Sequence, residues 1–441
     1  MSERMEWRDL SLLLVLLALG VFFGLLAPQY LSARNLSMLT IEFAITSVLS
    51  LGMLLVILPG HIDLSAGSGV GLIGGVTAVL IMRGELPASV AMALGIGLAL
   101  LLWRLQGFLI VSQSIPAFII TLGGLLAWKG LFWLVIRNQT VPVSAGGHAN
   151  LLSVLTTTYL PPGPSYALIG LVIALLGLFS LRGHRQAAQE AVRQGEPVPD
   201  GELPFLRWLV AAQALALLGL TCGQFRGLPL PLLILAMVAV LVQILTKHTR
   251  LGRALYAIGG NEEAAVLSGI PVGKVVVTAY TLLGALVGLT GLLQTAYAGA
   301  STTTVGELME LDAVAACVIG GCSLRGGRGS VAGVLLGSLV MACLLSGMSL
   351  LAVPPEARFV ARGLTLGLAA WLDVLAVDLL GYALMGNHIH LVLRTRPDVA
   401  GRWPVAEVQR RATAVSMVAD GRPCPPAQAP AGGRWSAADL A

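Results

Sequence analysis

Residues Val331–Leu350 read VAGVLLGSLVMACLLSGMSL, a stretch without one charged side chain. A helix rises about 1.5 Å per residue, so roughly 20 apolar residues cover the hydrocarbon core of a bilayer. No water is available there to satisfy backbone N–H and C=O groups, so such a stretch crosses as a helix. The same pattern recurs upstream and downstream, over 10–27, 43–58, 67–82, 89–103, 117–136, 166–181, 208–221, 230–245, 275–297 and 359–375. Several of these are short for a full crossing and read as tilted, broken or half-spans. A further piece, 312–322, is too short to span and runs into Arg325-Gly326-Gly327-Arg328-Gly329, as a re-entrant or broken helix would. The expected fold is an all-α polytopic membrane protein with about 10–12 transmembrane or half-spanning helices. From 377 onward the character changes to an Arg- and Pro-rich tail with no spanning segment, expected to be disordered or non-functional.

Composition agrees. Of 441 residues, 56% are hydrophobic and 11% charged, against about 25% charged in soluble domains. The 53 glycines suit helices that pack closely inside lipid. A net charge of +5 without a basic block in the apolar region argues against a nucleic-acid partner. Cys222, Cys317, Cys322, Cys343 and Cys424 show no CxxC spacing and predict neither a disulfide framework nor a zinc site. The stretch 10–27 lacks a small-x-small cleavage site before Pro28 and reads as a first span rather than a signal peptide.

Orientation follows from the cations. Loop 182–207 carries Arg182, Arg185, Arg193 and Arg207, and loop 247–274 carries Lys247, Arg250, Arg253 and Lys274. Two spans separate them, so both fall on one side, which the positive-inside rule makes the cytoplasm. Loop 137–165 then lies outside, and the N-terminus, with Arg4 and Arg8, lies inside. These readings predict a multi-pass membrane protein with its N-terminus in the cytoplasm. A weak internal similarity pairs Gly67-Ser68-Gly69-Val70-Gly71 with Gly329-Ser330-Val331-Ala332-Gly333, each opening an apolar helix after an acidic stretch.

Three sets of residues are candidates for function. Between two spans, 252–271 reads GRALYAIGGNEEAAVLSGIP, where Asn261 is a good N-cap, Glu262 and Glu263 fill the first turn, and Gly269 marks the end. Such a helix is either a lever for a soluble partner or an ordinary solvated loop helix. Asp63, just before Ser65, and Asp312 are ionisable residues at membrane depth. Each is either functional, in which case it could bind a coupling ion, or a cap for the helix that follows. In the tail, His388 and His390 flank Ile389 and would share one face of a strand. No GxxxxGK[ST] loop occurs, so the chain is expected to bind no nucleotide or other cofactor and to draw energy from a partner.

The segment with Asn261, Glu262, Ala264, Ala265, Ser268 and Gly269 resembles the coupling-helix region of permeases of ribose/xylose/arabinose-type sugar importers driven by an ATP-binding cassette subunit. Also similar are Tyr30-Leu31-Ser32-Ala33-Arg34-Asn35, Ile62-Asp63-Leu64-Ser65-Ala66-Gly67-Ser68, Ile115-Pro116-Ala117-Phe118-Ile119-Ile120-Thr121-Leu122, the run from Glu310 to Gly321, and Ala370-Trp371-Leu372-Asp373. The resemblance covers 10–376, and the segment 159–231 is most like the xylose branch. His61, Ser346 and Arg325 depart from the family pattern. The resemblance implies a homodimer of permeases with an ABC ATP-binding subunit and a periplasmic sugar-binding protein, importing a pentose. It implies that the six residues of the coupling segment touch the ATPase, and that the chain itself is no enzyme. The alternative is a secondary transporter using Asp63 or Asp312. His388 and His390 resemble the His-hydrophobe-His strand of small tyrosine transposases, but no Tyr follows Tyr382 to serve as nucleophile, so metal binding and a nuclease activity are not expected.

Overall fold

The computed structural model describes residues 7–113, 115–144, 148–194, 201–375, 377–385 and 388–395. Its helices are α1 (Trp7–Leu26), α2 (Ala33–Ile57), α3 (Ala66–Met82), α4 (Ala88–Ser112), α5 (Ala117–Ile136), α6 (Leu151–Thr157), α7 (Pro162–Gln194) and α8 (Glu202–Gly223). There follow α9 (Leu230–His248), α10 (Arg250–Gly260), α11 (Glu262–Leu267), α12 (Val272–Ala298), α13 (Met309–Ile319), α14 (Val331–Leu350) and α15 (Pro355–Leu375). Among the described residues, eight helices are long and apolar enough to cross a membrane: α2, α4, α5, α7, α8, α9, α12 and α14. The apolar stretches of α1 and α3 are shorter. The chain is an all-α polytopic membrane protein.

Helices α5 and α14 have the bounds that hydropathy alone assigns, α14 carrying no charged side chain and α5 only Lys129. By contrast α2 begins ten residues before the apolar run starting at Phe43, and α4 continues past Trp103 to Ser112. Their extra turns hold polar groups that find partners inside the protein: Tyr297 donates to Glu42 of α2 at 2.9 Å, and Gln106 of α4 donates to Asp63 at 3.0 Å.

Helix α2 is buried on every side along its second half, as expected of a helix that is apolar all round. It packs against α12, α14, α13 and α9, and α12 packs in turn on α4 and α3. The α7–α8 pair leans mainly on itself at the periphery, its apolar surface turned outward.

Two short strand pairs tie loops together at one end: β1 (Val141–Pro142) with β4 (Ala300–Ser301), and β2 (Tyr159–Leu160) with β3 (Leu228–Pro229). At the other end of α12, about 40 Å away by helical rise, α10 packs onto the turn at Gly326 and Gly327. The segments around α6 and the α10–α11 unit therefore lie at opposite ends of α12. Beyond α15, β5 (Val377–Met385) and β6 (His388–Thr395) form an antiparallel hairpin with Met385 opposite His388. Residues 396–441 lie outside the described residues, and the expectation of disorder there goes with them.

Candidate functional site

Helix α2 stops at Ile57, and α3 begins only at Ala66. Between them Gly60 takes φ +90°, and 61–63 has no regular structure. A second interruption separates α12 from α13, where Gly306 (φ +84°) and Leu308 (φ 60°) turn the chain into the short α13. The two interruptions touch backbone to backbone. A Cβ on Gly67 would run into Gly306 and the Glu310 carboxylate, and a Cβ on Gly306 would run into Gly67. Only glycine permits this approach. The segment meeting the start of α3 is thus 302–310, whereas the similarity read in the sequence lies at the start of α14, 20 residues further on.

Asp63 is fully buried at this junction. Its Oδ1 accepts from the backbone N–H and the hydroxyl of Ser65, both at 2.6 Å. Its Oδ2 accepts from Trp103 Nε1 at 2.7 Å and Gln106 Nε2 at 3.0 Å. Asp63 does not cap α3, whose N-cap is Ser65 without a side-chain cap bond; it holds the turn that leads into α3 and joins that turn to α4. Because each oxygen is used twice, no lone pair of Asp63 is left facing an open cavity.

Asp312 lies in the first turn of α13, 5% exposed. Its Oδ1 is 3.3 Å from Arg362 Nε on α15, an ion pair without hydrogen-bond alignment. Toward the end marked by β1 and β4, Lys129 of α5 pairs with Glu307 at 3.3 Å and stands 5.4 Å over the Trp133 ring, while Trp133 Nε1 donates to Thr303 O at 3.3 Å. These contacts pin α5 to the second interruption. Trp103, Gln106, Glu310 and Arg362 were not among the sequence candidates. Arg362 carried the clearest signal, a cation within the expected span 359–375, which at membrane depth calls for a partner.

At the opposite end, α11 forms as its sequence predicts. Asn261 Oδ1 accepts from Ala264 N at 2.9 Å, Glu262 and Glu263 fill the first turn, and Gly269 closes the helix with φ +78°. Asn261, Glu262, Ala264, Ser268 and Gly269 are exposed. Ala265 is not: at 3% exposure it belongs to the chain's own core, packed inward where α11 meets α10 and α12. The expectation that Ala265 faces outward is therefore corrected. The outward apolar residues are Val266 at 56% and Leu267 at 89% exposure. Behind this helix, Gly327 N donates to Leu58 O at 2.9 Å and Gly259 packs onto the same turn. A continuous backbone contact thus runs from the α10–α11 unit to the first interrupted helix.

A family model described as "Branched-chain amino acid transport system / permease component" matches residues 35–370. The xylose transport system permease protein of Escherichia coli K12 is 38% identical over 352 residues, 78% of this chain and 86% of that protein. Its counterpart in Haemophilus influenzae is 38% identical over 369 residues, 83% of this chain and 96% of that protein. The ribose import permease protein of Bacillus subtilis is 30% identical over 358 residues, covering 81% and 90%. No solved structure matches.

Proposed function

The chain belongs to this family of transport-system permease components, and from that membership we propose that it is the membrane subunit of an ATP-driven importer of a xylose-like pentose. It is a transporter subunit and not an enzyme. The observation that carries the reading is the 38% identity with xylose permeases over most of both chains. A homodimer of this chain would form the path, an ABC ATP-binding subunit would supply the energy, and a sugar-binding protein would deliver the substrate from the periplasm. The N-terminus and α11 would face the cytoplasm, the side to which the positive-inside rule assigns arginine- and lysine-rich loops. There α11 would dock on the ATPase through Glu262, Ala264, Val266 and Leu267, with Asn261, Ser268 and Gly269 shaping its ends.

The runner-up, an ion-coupled secondary transporter, needs a carboxylate free to take an ion. Asp63 with four donors and Asp312 beside Arg362 fit anchoring roles better. His388 and His390 lie on β6. We read the segment from 377 as a transposase-like fragment with no part in transport, since the family match ends at 370. Uptake of labelled pentoses by cells carrying the partner subunits tests both statements. The full chain and a chain ending at 376 should import xylose equally. Absence of pentose uptake with all partners present would remove the proposed substrate, and loss of uptake in the shortened chain at equal membrane level would give the tail a role.

A further inference from the structure

We propose that the α7–α8 pair holds an anionic phospholipid at its polar end, with part of the acyl chain in a slot between the helices and the phosphate at Arg182 and Arg185. The slot is a cavity of about 180 Å³ lined by Gly177, Ser180 and His184 of α7 and by Pro204, Phe205 and Trp208 of α8. That volume compares with an apolar cavity of about 150 Å³ known to admit benzene, so it admits several methylene groups. Two of its polar side chains are already engaged. Trp208 Nε1 donates to Ile173 O at 3.1 Å, and Ser180 Oγ donates to Pro204 O at 3.4 Å. Gly177 keeps the slot open beside the indole, where a Cβ would come within 2.9 Å of Trp208 Nε1.

The surroundings identify the occupant. Leu178, Leu181 and Phe205 are 49%, 57% and 58% exposed around the cavity, on a pair of helices whose apolar surface is turned outward to lipid. The Trp208 and Phe205 rings lie 5.8 Å apart at a tilt of 41°, and aromatic side chains such as Trp gather at the membrane–water boundary. Past that boundary α7 continues for three more turns as a polar helix. Arg182 and Arg185, one turn apart and both exposed, open this extension, and neither has an ion-pair partner among the described residues. Among the described residues, the acidic ones nearby are Glu202 at the start of α8 and Glu190, about 7.5 Å beyond Arg185 by helical rise, while Glu196 and Asp200 fall in 195–200, outside the described residues. Among the described residues, Arg182 and Arg185 thus stand with the single carboxylate of Glu202 at the polar end of an apolar slot. Basic pockets between spanning helices on the cytoplasmic side suit anionic headgroups.

Native mass spectrometry of the full chain, purified in mild detergent with equal phosphatidylglycerol and phosphatidylcholine of identical chains, tests this. Phosphatidylglycerol adducts should dominate. Arg182→Gln with Arg185→Gln should lower that preference roughly fivefold per arginine, about 1 kcal/mol each. Ser180→Phe, which fills the slot, should reduce adducts of both lipids. Equal retention of the two lipids by the unaltered chain, or an unchanged preference in the arginine variant, would overturn the headgroup assignment. Full retention in a folded Ser180→Phe variant would overturn the slot. Should Ser180→Phe fail to fold, the surface arginine pair still decides.

Discussion

At Asp63 a carboxylate with no exposed surface accepts from four donors, two in its own turn and two on α4. Its nearest isostere fails for a specific reason. In Asp63→Asn the Oδ1 contacts with Ser65 survive, but an amide N–H₂ now faces the Trp103 N–H, and the indole has no acceptor to offer in return. An unsatisfied buried donor costs about 1–3 kcal/mol. Asp63→Asn should therefore lower the thermal unfolding midpoint of the purified chain in detergent, and an unchanged midpoint would show that the knot does not hold the fold. The position of Asp63 was legible in the sequence, because an acid before a Gly/Ser-rich helix start asks for a cap. Its second pair of donors was not. Trp103 and Gln106 look like ordinary residues of a helix end, and only the packing of α4 against the interruption gives them a task.

Among the elements, α11 separates what local sequence decides from what tertiary packing decides. Its start and end follow from Asn261, the two glutamates and Gly269, whose roles depend only on neighbouring backbone. Its outward face does not. The helix has fewer than two turns, too few to show an apolar stripe, and its orientation is set by the surface that α10 and α12 leave for Ala265. Substitutions on its two faces should then fail in different ways. Leu267→Asp replaces a residue that is 89% exposed, so the variant should fold normally yet lose ATPase stimulation by sugar-loaded binding protein. Ala265→Trp overfills the chain's own core at a typical cost of about 1–3 kcal/mol, and should lower the unfolding midpoint before any partner is added. Parallel melting curves and vesicle ATPase assays distinguish the two. Full coupling in Leu267→Asp would remove α11 from the interface.

For the molecule as a whole, two interrupted helices meet at Gly67 and Gly306, pinned by Asp63 to α4, by Glu307 to α5 and by Asp312 to α15. The chain from the first interruption to α11 is continuous through Leu58, Gly327 and Gly259. If the ATPase docks at α11 as proposed, its movement has a short backbone route to the first interruption. This arrangement requires Ala149, beside α6, and Leu267, on α11, to lie on opposite sides of the membrane. Single cysteines placed there in a cysteine-free background should react with an impermeant maleimide from outside at 149, and only after membrane disruption at 267. Reaction of both from outside would break the topology. The central claim is that transport draws on ATP through a partner docked at that end. Xylose uptake into proteoliposomes holding this chain, its ATP-binding subunit and its sugar-binding protein tests it most directly. Uptake should require ATP, stop when the ATP-binding subunit is left out, and persist when proton and sodium gradients are collapsed. Uptake by this chain alone, driven by an ion gradient and indifferent to ATP, would contradict the account.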